Sequence, residues 1–261
     1  MSTHDFIIAL FCRVDEVVGD LPKQCQAKLY PSEVVTLALL FALKGVGPRA
    51  FYRWLTRDYR PLFPKLPERT RLFRLFASQR DWADFFLADA TTLGVADSYG
   101  IALLHPLRQG RSLRQIGRKG KSNQRWIGGG KLAYVVHQLG LIVAWNCATA
   151  TAHDAICHEL IADFQDERVV LTDSGFHAKT GDPPNMKACA RGTWNVRMVV
   201  ETILSMLTTV CHFKHVSHRS WAPCMMRLAF TMAMFNVLVL WDGLPVDADG
   251  VIHLSIAQFS L

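Results

Sequence analysis

Apolar residues recur every three to four positions through the first third of the chain. This spacing is typical of amphipathic helices that bury one face. Ser32 can cap the second of these helices, and a proline-rich stretch separates the third from the fourth. The predicted helices cover residues 5–19 and 31–43, begin again at 49, and resume from 68 to 76. Residues 1–88 are therefore expected to form an all-helical domain.

The period of the pattern changes after residue 90. TTLGVADS, residues 91–98, has the composition of a strand, and residues 131–146 alternate around a glycine-containing turn. Alternation on both sides of such a turn predicts a β-hairpin. Its two faces hold Leu132, Tyr134 and Val136 on one side, and Ala133, Val135 and His137 on the other.

A further strand is predicted where the run Val169-Val170-Leu171 stops at Asp173. Helices are expected over residues 154–164, 193–212 and 221–241, and loops over 99–130 and 175–192. The first and fourth strands of such a chain can lie side by side. Residues 89–261 are therefore predicted to form a second domain, a mixed α/β sheet flanked by helices.

Composition supports a folded protein. Half of the 261 residues are hydrophobic and a fifth are charged, which provides a large core and argues against disorder. The apolar run 228–241 is short for a bilayer span of about 20 residues, so a core helix and no membrane partner are expected. Seven cysteines without a CxxC pair, and no signal peptide at the start, predict reduced thiols and a cytoplasmic location.

Positive charge dominates, with a formal net charge of +7. Between Asp97 and Asp154 there is no acidic residue, and the basic residues there are Arg108, Arg111, Arg114, Arg118, Lys119, Lys121, Arg125 and Lys131. We expect a mobile basic loop whose side chains contact the phosphates of a polyanion. The arginines of the helical domain fit either a DNA-binding module or a bundle with solvated arginines.

Three acidic residues are candidate metal ligands. Asp97 and Asp173 each end a predicted strand, so they meet at one sheet edge if those strands are neighbours. Glu201 flanks the apolar stripe of a predicted helix, one turn after Arg197, which can orient the carboxylate or contact a phosphate. Clustered carboxylates repel one another unless a cation neutralises them, and hard oxygen ligands favour Mg²⁺ or Mn²⁺. Two such ions would serve an in-line phosphoryl transfer.

A second cluster, CHFKHVSH, contains Cys211 and the histidines 212, 215 and 218. Zinc accepts such ligands, but histidines three residues apart drift around a helix and there is no second Cys pair. We expect a solvated or DNA-facing segment here.

The chain resembles the DDE transposases of bacterial insertion sequences over about residues 91–241. The matching features are Asp97 in VADSYG, the hairpin beginning GGGKLAYVVHQLGL, ATATAHDA, LTDSGF with Asp173, and the helix with Arg197 and Glu201. The resemblance implies an RNase H-like fold and metal-dependent cleavage of transposon ends by water. It also implies attack of the freed 3′-OH on target DNA and a homodimer on double-stranded DNA. Asp97, Asp173 and Glu201 would hold two Mg²⁺ or Mn²⁺ ions.

Part of the family signature is changed here. Arg197 and Glu201 keep the spacing, but Trp194 stands at the tyrosine position and Thr208 at the lysine position. Ser174 follows the second aspartate, where relatives often carry a basic residue. Two other functions stay open: a metal-dependent nuclease of the same fold, and a DNA-binding protein that no longer cleaves.

Overall fold

A computed structural model describes most of the chain as a mixed α/β protein. The described residues are 1–105, 107, 110, 116–122, 125–152, 156–178, 181–189, 197–213, 218, 220–245, 253–259 and 261, with backbone only at 122, 156, 197 and 198. The predicted motif around His153 and Asp154, and Trp194, Arg108, Arg111 and Arg114, lie outside them.

The N-terminal helices are confirmed to within a few residues. They are α1 (Thr3–Val18), α2 (Pro31–Lys44), α3 (Pro48–Asp58) and α4 (Arg69–Ser78), followed by a 3-10 segment at Arg80–Phe86. The predicted cap of α2 is wrong. Tyr30 precedes the helix and its N–H donates to the Glu33 carboxylate at 2.7 Å, while Ser32 lies inside the helix and is buried. Because proline is favoured at the first helical position, the helix begins at Pro31 and the preceding residue is Tyr30.

The strands of the described chain form one mixed sheet. They are β1 (Leu93–Leu104), β2 (Arg118–Ser122), β3 (Arg125–His137), β4 (Ile142–Thr149), β5 (Val169–Asp173) and β6 (Met186–Cys189). The order is β2-β3-β1-β5-β6, with β4 also paired to β3. Neighbours around β3 are antiparallel, whereas β1–β5 and β5–β6 are parallel. The predicted pairing of the first strand with the strand ending at Asp173 is confirmed.

Both loop predictions, 99–130 and 175–192, are wrong in part. The strand predicted to end near Asp97 continues to Leu104, and the basic segment expected to be a loop forms β2 and the start of β3. The loop predicted over 175–192 contains β6. These short polar strands are stabilised by ladder hydrogen bonds to a neighbour, so their own residue pattern does not identify them.

The predicted hairpin between β3 and β4 is confirmed, and β3 is longer than expected. Gly140 takes the turn with φ 84°, a conformation that glycine adopts without a steric penalty. Further along, β4 and β2 lie end to end on the same edge of β3, and the exchange occurs at Gly129 and Gly130. A Cβ atom on Gly129 would overlap the carbonyl of Ile101, so the close approach of β1 requires glycine there.

The two faces of the sheet pack against different helices. Helices α6 (Arg197–Thr209) and α7 (Trp221–Asp242), together with the N-terminal helices, cover one face and form the main core. Helix α5 (Ile156–Ala162) covers the other face. The predicted alternation of the hairpin is confirmed, because Leu132, Tyr134 and Val136 lie in the main core, whereas Ala133 and Val135 face α5.

Helix α7 is long and apolar enough to cross a membrane. Of the residues in its most apolar 18-residue stretch, 83% are buried inside the protein. It packs on α2, β4 and the 3-10 segment before β1. Asn236 within it accepts from the N–H of Ile142 at 2.8 Å and donates to the carbonyls of Phe86 and Ile142. The prediction of a core helix is confirmed. Since α7 joins the N-terminal helices in one core, the domain boundary at residue 88 stays a prediction.

Candidate active site

Asp97 lies in the middle of β1, on the main-core face of the sheet. Its ladder partner across β3 is Tyr134, and its Oδ1 accepts from the N–H of Ser98 at 2.8 Å. Val95 and Ile101, of the same strand parity, belong to the main core. Asp97 is partly exposed, and its strand continues beyond it to Leu104.

Asp173 is the last residue of the neighbouring strand, β5. The parallel register pairs Val95 with Leu171, and two more residues along each strand bring Asp97 level with Asp173. Strand alternation puts both aspartates on the same face, and neighbouring strands lie about 4.8 Å apart. The Asp173 Oδ1 accepts from the N–H and the hydroxyl of Ser174 at 2.6 and 3.2 Å. The fold therefore brings together two of the three predicted acids.

Glu201 has a different environment. Helix α6 packs on β1 through buried Val200, Ile203 and Leu207, as the apolar stripe predicts, but the Glu201 side chain is exposed. Among the residues that the structure describes, no group of three or more His, Cys, Asp or Glu side chains is placed to hold a metal ion. The convergence of Glu201 with the two aspartates, and the role of Arg197, stay predictions.

Tyr134 is the buried neighbour of Asp97. It is fully buried, and its hydroxyl has no hydrogen-bond partner in the described part of the chain. Burial, and secondly the negative charge of Asp97, raise the pKa of Tyr134 well above its usual value. This tyrosine stays neutral at physiological pH and forms an apolar floor beside the carboxylate. The sequence placed it on a core face but gave no sign of this role.

The segment after Asp173 is held by contacts that the sequence did not reveal. His158 of α5 donates from Nε2 to the carbonyl of Phe176 at 2.6 Å, and the same nitrogen lies 3.8 Å from Asp182. Asp182 pairs with His177 and accepts from the N–H of Ala178 at 3.0 Å. That N–H, and then the two histidines, lower the pKa of Asp182.

The predicted phosphate contacts fall into two groups. Arg118, Lys119, Lys121 and Arg125 are exposed on the two-stranded ribbon made by β2 and the start of β3. Lys131 differs, since only 7% of it is exposed and it lies on β3 beyond the part that pairs with β2. The basic surface is thus carried by regular strands instead of the mobile loop expected from the sequence.

Trp126, which sequence reasoning missed, stands on the same ribbon. It is 61% exposed, and the Lys119 ammonium lies 5.1 Å from its ring centroid. An alternating reading of RKGKS and RWIGG as a hairpin would have placed the aromatic ring among the basic side chains.

The cysteine–histidine cluster does not match the expected solvated segment at its described positions. Cys211 is fully buried, and burial raises the pKa of its thiol to about 12. Burial, and then the positive charge of Arg227, lower the pKa of His218 to about 4. His215 lies outside the described residues. Cys211 and His218 are therefore neutral parts of the packed helical region at neutral pH.

The arginines of α3 lie on the protein surface. Arg49, Arg53 and Arg57 are exposed along α3, which is compatible with DNA contact and with simple solvation.

No protein-family model matches the chain, and a search of curated proteins finds no match.

Proposed function

We propose that the protein is an insertion-sequence transposase of the DDE type, with an RNase H-like core, that cuts and joins double-stranded DNA. The observation that carries the proposal is the parallel register that sets Asp97 level with Asp173 on one face of a mixed sheet. An antiparallel hairpin on one side of β1 and parallel strands on the other support the RNase H-like assignment.

The donor atoms of this pair fit a hard divalent cation. Carboxylate oxygens are the ligands that Mg²⁺ and Mn²⁺ prefer, and Asp97 and Asp173 present two partly exposed carboxylates. In the proposal Glu201 supplies the third from α6, which packs on β1, the strand of Asp97. When bound, two such ions activate a nucleophile and stabilise the leaving oxygen.

The chain's own groups prepare the site. The N–H groups of Ser98 and Ser174 donate to the two aspartates, which orients each carboxylate. Tyr134, the buried ladder partner of Asp97, excludes water from the core side of that carboxylate. The exposed basic ribbon binds the phosphates of the substrate, and two copies of the chain pair two DNA ends.

The proposal is tested on labelled duplex DNA taken from the ends of the element that encodes the chain, with Mg²⁺ or Mn²⁺. Strand-joined product is expected from the wild type. Asp97→Asn, Asp173→Asn and Glu201→Gln should each lower cleavage by at least about 100-fold while DNA binding is retained. Asp163→Asn is the matched control, because this exposed acid lies at the end of α5 on the other side of the sheet.

The other outcomes identify the alternatives. Nicked DNA without joined product indicates a metal-dependent nuclease. DNA retention without any cleavage indicates a binding protein. Full cleavage by Glu201→Gln, with both aspartate variants inactive, would remove α6 from the proposed ligand set.

A further inference from the structure

We propose that Lys119, Lys121 and Trp126 form a site for an unpaired nucleobase, in which the indole stacks on the base and the two lysines contact the flanking phosphates. We call these three residues the ribbon face. The inference rests on the proposed function only in taking DNA as the ligand.

The β2–β3 register puts these side chains on one face. Lys121 pairs with Trp126 and Lys119 with Gly128, and paired residues of an antiparallel ladder project to the same side. Lys119 lies diagonally across from the indole, 5.1 Å from its centroid. Arg118 and Arg125 have the opposite parity and project from the other face of the ribbon.

The ring is presented to solvent and not to the core. Trp126 is 61% exposed, whereas β3 is buried from Gly128 onward. Because Gly128 is the ladder partner of Lys119, no side chain from that position covers the ring. β2 forms the end of the main strand order, which leaves the ribbon accessible to a large ligand.

The charge around the ring selects a polyanion. The sequence has no acidic residue between Asp97 and Asp154, so no neighbour along the chain offsets the lysines. Lysines alone would be sufficient for the phosphates of a paired duplex. A planar ring beside the Lys119 ammonium, on the ladder partner of Lys121, adds a surface on which one base can stack. A base is free to do so only when it leaves its own stack.

The test measures binding in EDTA, so that cleavage plays no part. Three fluorescent oligonucleotides of equal length are compared at one salt concentration: a fully paired duplex, the same duplex with one unpaired base, and a single strand. Trp126→Ala should weaken binding of the last two by about 5- to 150-fold, the range for loss of one stacked base. Binding of the paired duplex should change by less than about threefold, and Trp126→Phe should restore most of the loss because it keeps an aromatic face.

Two controls separate stacking from charge. Tyr30→Ala removes another exposed aromatic ring with a lysine above it, the Lys23–Tyr30 pair at 4.0 Å on the helical part, and should leave all three affinities unchanged. The double variant Lys119→Ala, Lys121→Ala should weaken all three. It should also lower the salt slope for the duplex by about 2, since each phosphate contact contributes about 0.9.

The inference is overturned by an equal effect of Trp126→Ala on all three oligonucleotides, or by no effect on any. It is also overturned if the wild type binds vesicles of anionic phospholipid through Trp126 while DNA affinity is unchanged in Trp126→Ala. A selective Trp126 effect without any cleavage supports the ribbon face and counts against the transposase. DNA cleavage by the wild type, with no effect of Trp126→Ala on binding, would support the transposase and overturn the ribbon face.

Discussion

Tyr134 is a single buried residue beside Asp97, one of the acids of the candidate site. It faces Asp97 across the ladder, is fully buried, and has a hydroxyl without a partner among the described residues. A buried hydroxyl in that state has lost its water without gaining a hydrogen bond, which is a net cost to folding. The ring, and not the hydroxyl, is therefore the useful part of this side chain.

We expect Tyr134→Phe to keep cleavage within about threefold of the wild type. Its free energy of unfolding should be equal to or up to about 1 kcal/mol above the wild-type value, since an unsatisfied polar group is removed. Urea unfolding and the cleavage assay measure the two quantities, with inactive Asp97→Asn as the comparison. A large loss of cleavage in stably folded Tyr134→Phe would mean that the hydroxyl acts on the carboxylate or the substrate.

At the scale of elements, the turn after β5 depends on a helix that is distant in sequence. The Nε2–H of His158 from α5 donates to the carbonyl of Phe176, three residues after Asp173. The same imidazole approaches Asp182, which holds the chain at Ala178. His158 is thus a positioning residue for the turn that begins directly after Asp173.

We expect His158→Ala to lower cleavage by about 10- to 100-fold, the usual range when a supporting contact behind a ligand is lost. His158→Gln should recover part of this activity, because its amide N–H can still donate to the Phe176 carbonyl. The diagnostic measurement is the Mn²⁺ concentration at half-maximal cleavage, which should rise in the alanine variant. Unchanged metal dependence, with lower stability alone, would assign His158 to folding only.

The elements that could be predicted from the sequence are those with a strong local period. The N-terminal helices, the hairpin around Gly140 and the strand before Asp173 each show their full pattern within about ten residues. β2 and β6 do not, because RKGKS and MKAC become strands only when a neighbour supplies hydrogen bonds. The Asp97–Asp173 pair followed from one assumption, that their strands are adjacent. Contacts such as His158 with Phe176 join separate elements and leave no periodic signal.

At the scale of the whole molecule, buried His137 and partly buried His218 couple stability to pH. Burial lowers the pKa of His218 from 6.5 to about 4, and burial also lowers the pKa of His137. The unfolded chain takes up a proton near pH 6.5, whereas folded His218 does so only near pH 4. The free energy of unfolding is therefore not reduced by His218 above pH 6.5, and it decreases as the pH falls from 6.5 toward 4.

We expect the free energy of unfolding to fall by roughly 3 kcal/mol from His218 between pH 6.5 and pH 4. Urea unfolding at pH 7, 5.5 and 4.5 measures the change. His218→Gln should have a flatter profile, because it removes the titrating group, whereas the exposed-residue control His4→Gln should follow the wild type. A profile of equal steepness in His218→Gln would assign the acid sensitivity to other groups.

The packing of α7 on α2 also determines when the protein can finish folding during its synthesis. The apolar faces of the first 88 residues are completed by a helix that begins at Trp221. At the usual elongation rate of about 5–20 residues per second, the ribosome needs roughly 7–27 s to reach that helix. For that interval the apolar faces of the nascent helices stay uncovered, and we expect chaperones that bind exposed apolar surface to bind them.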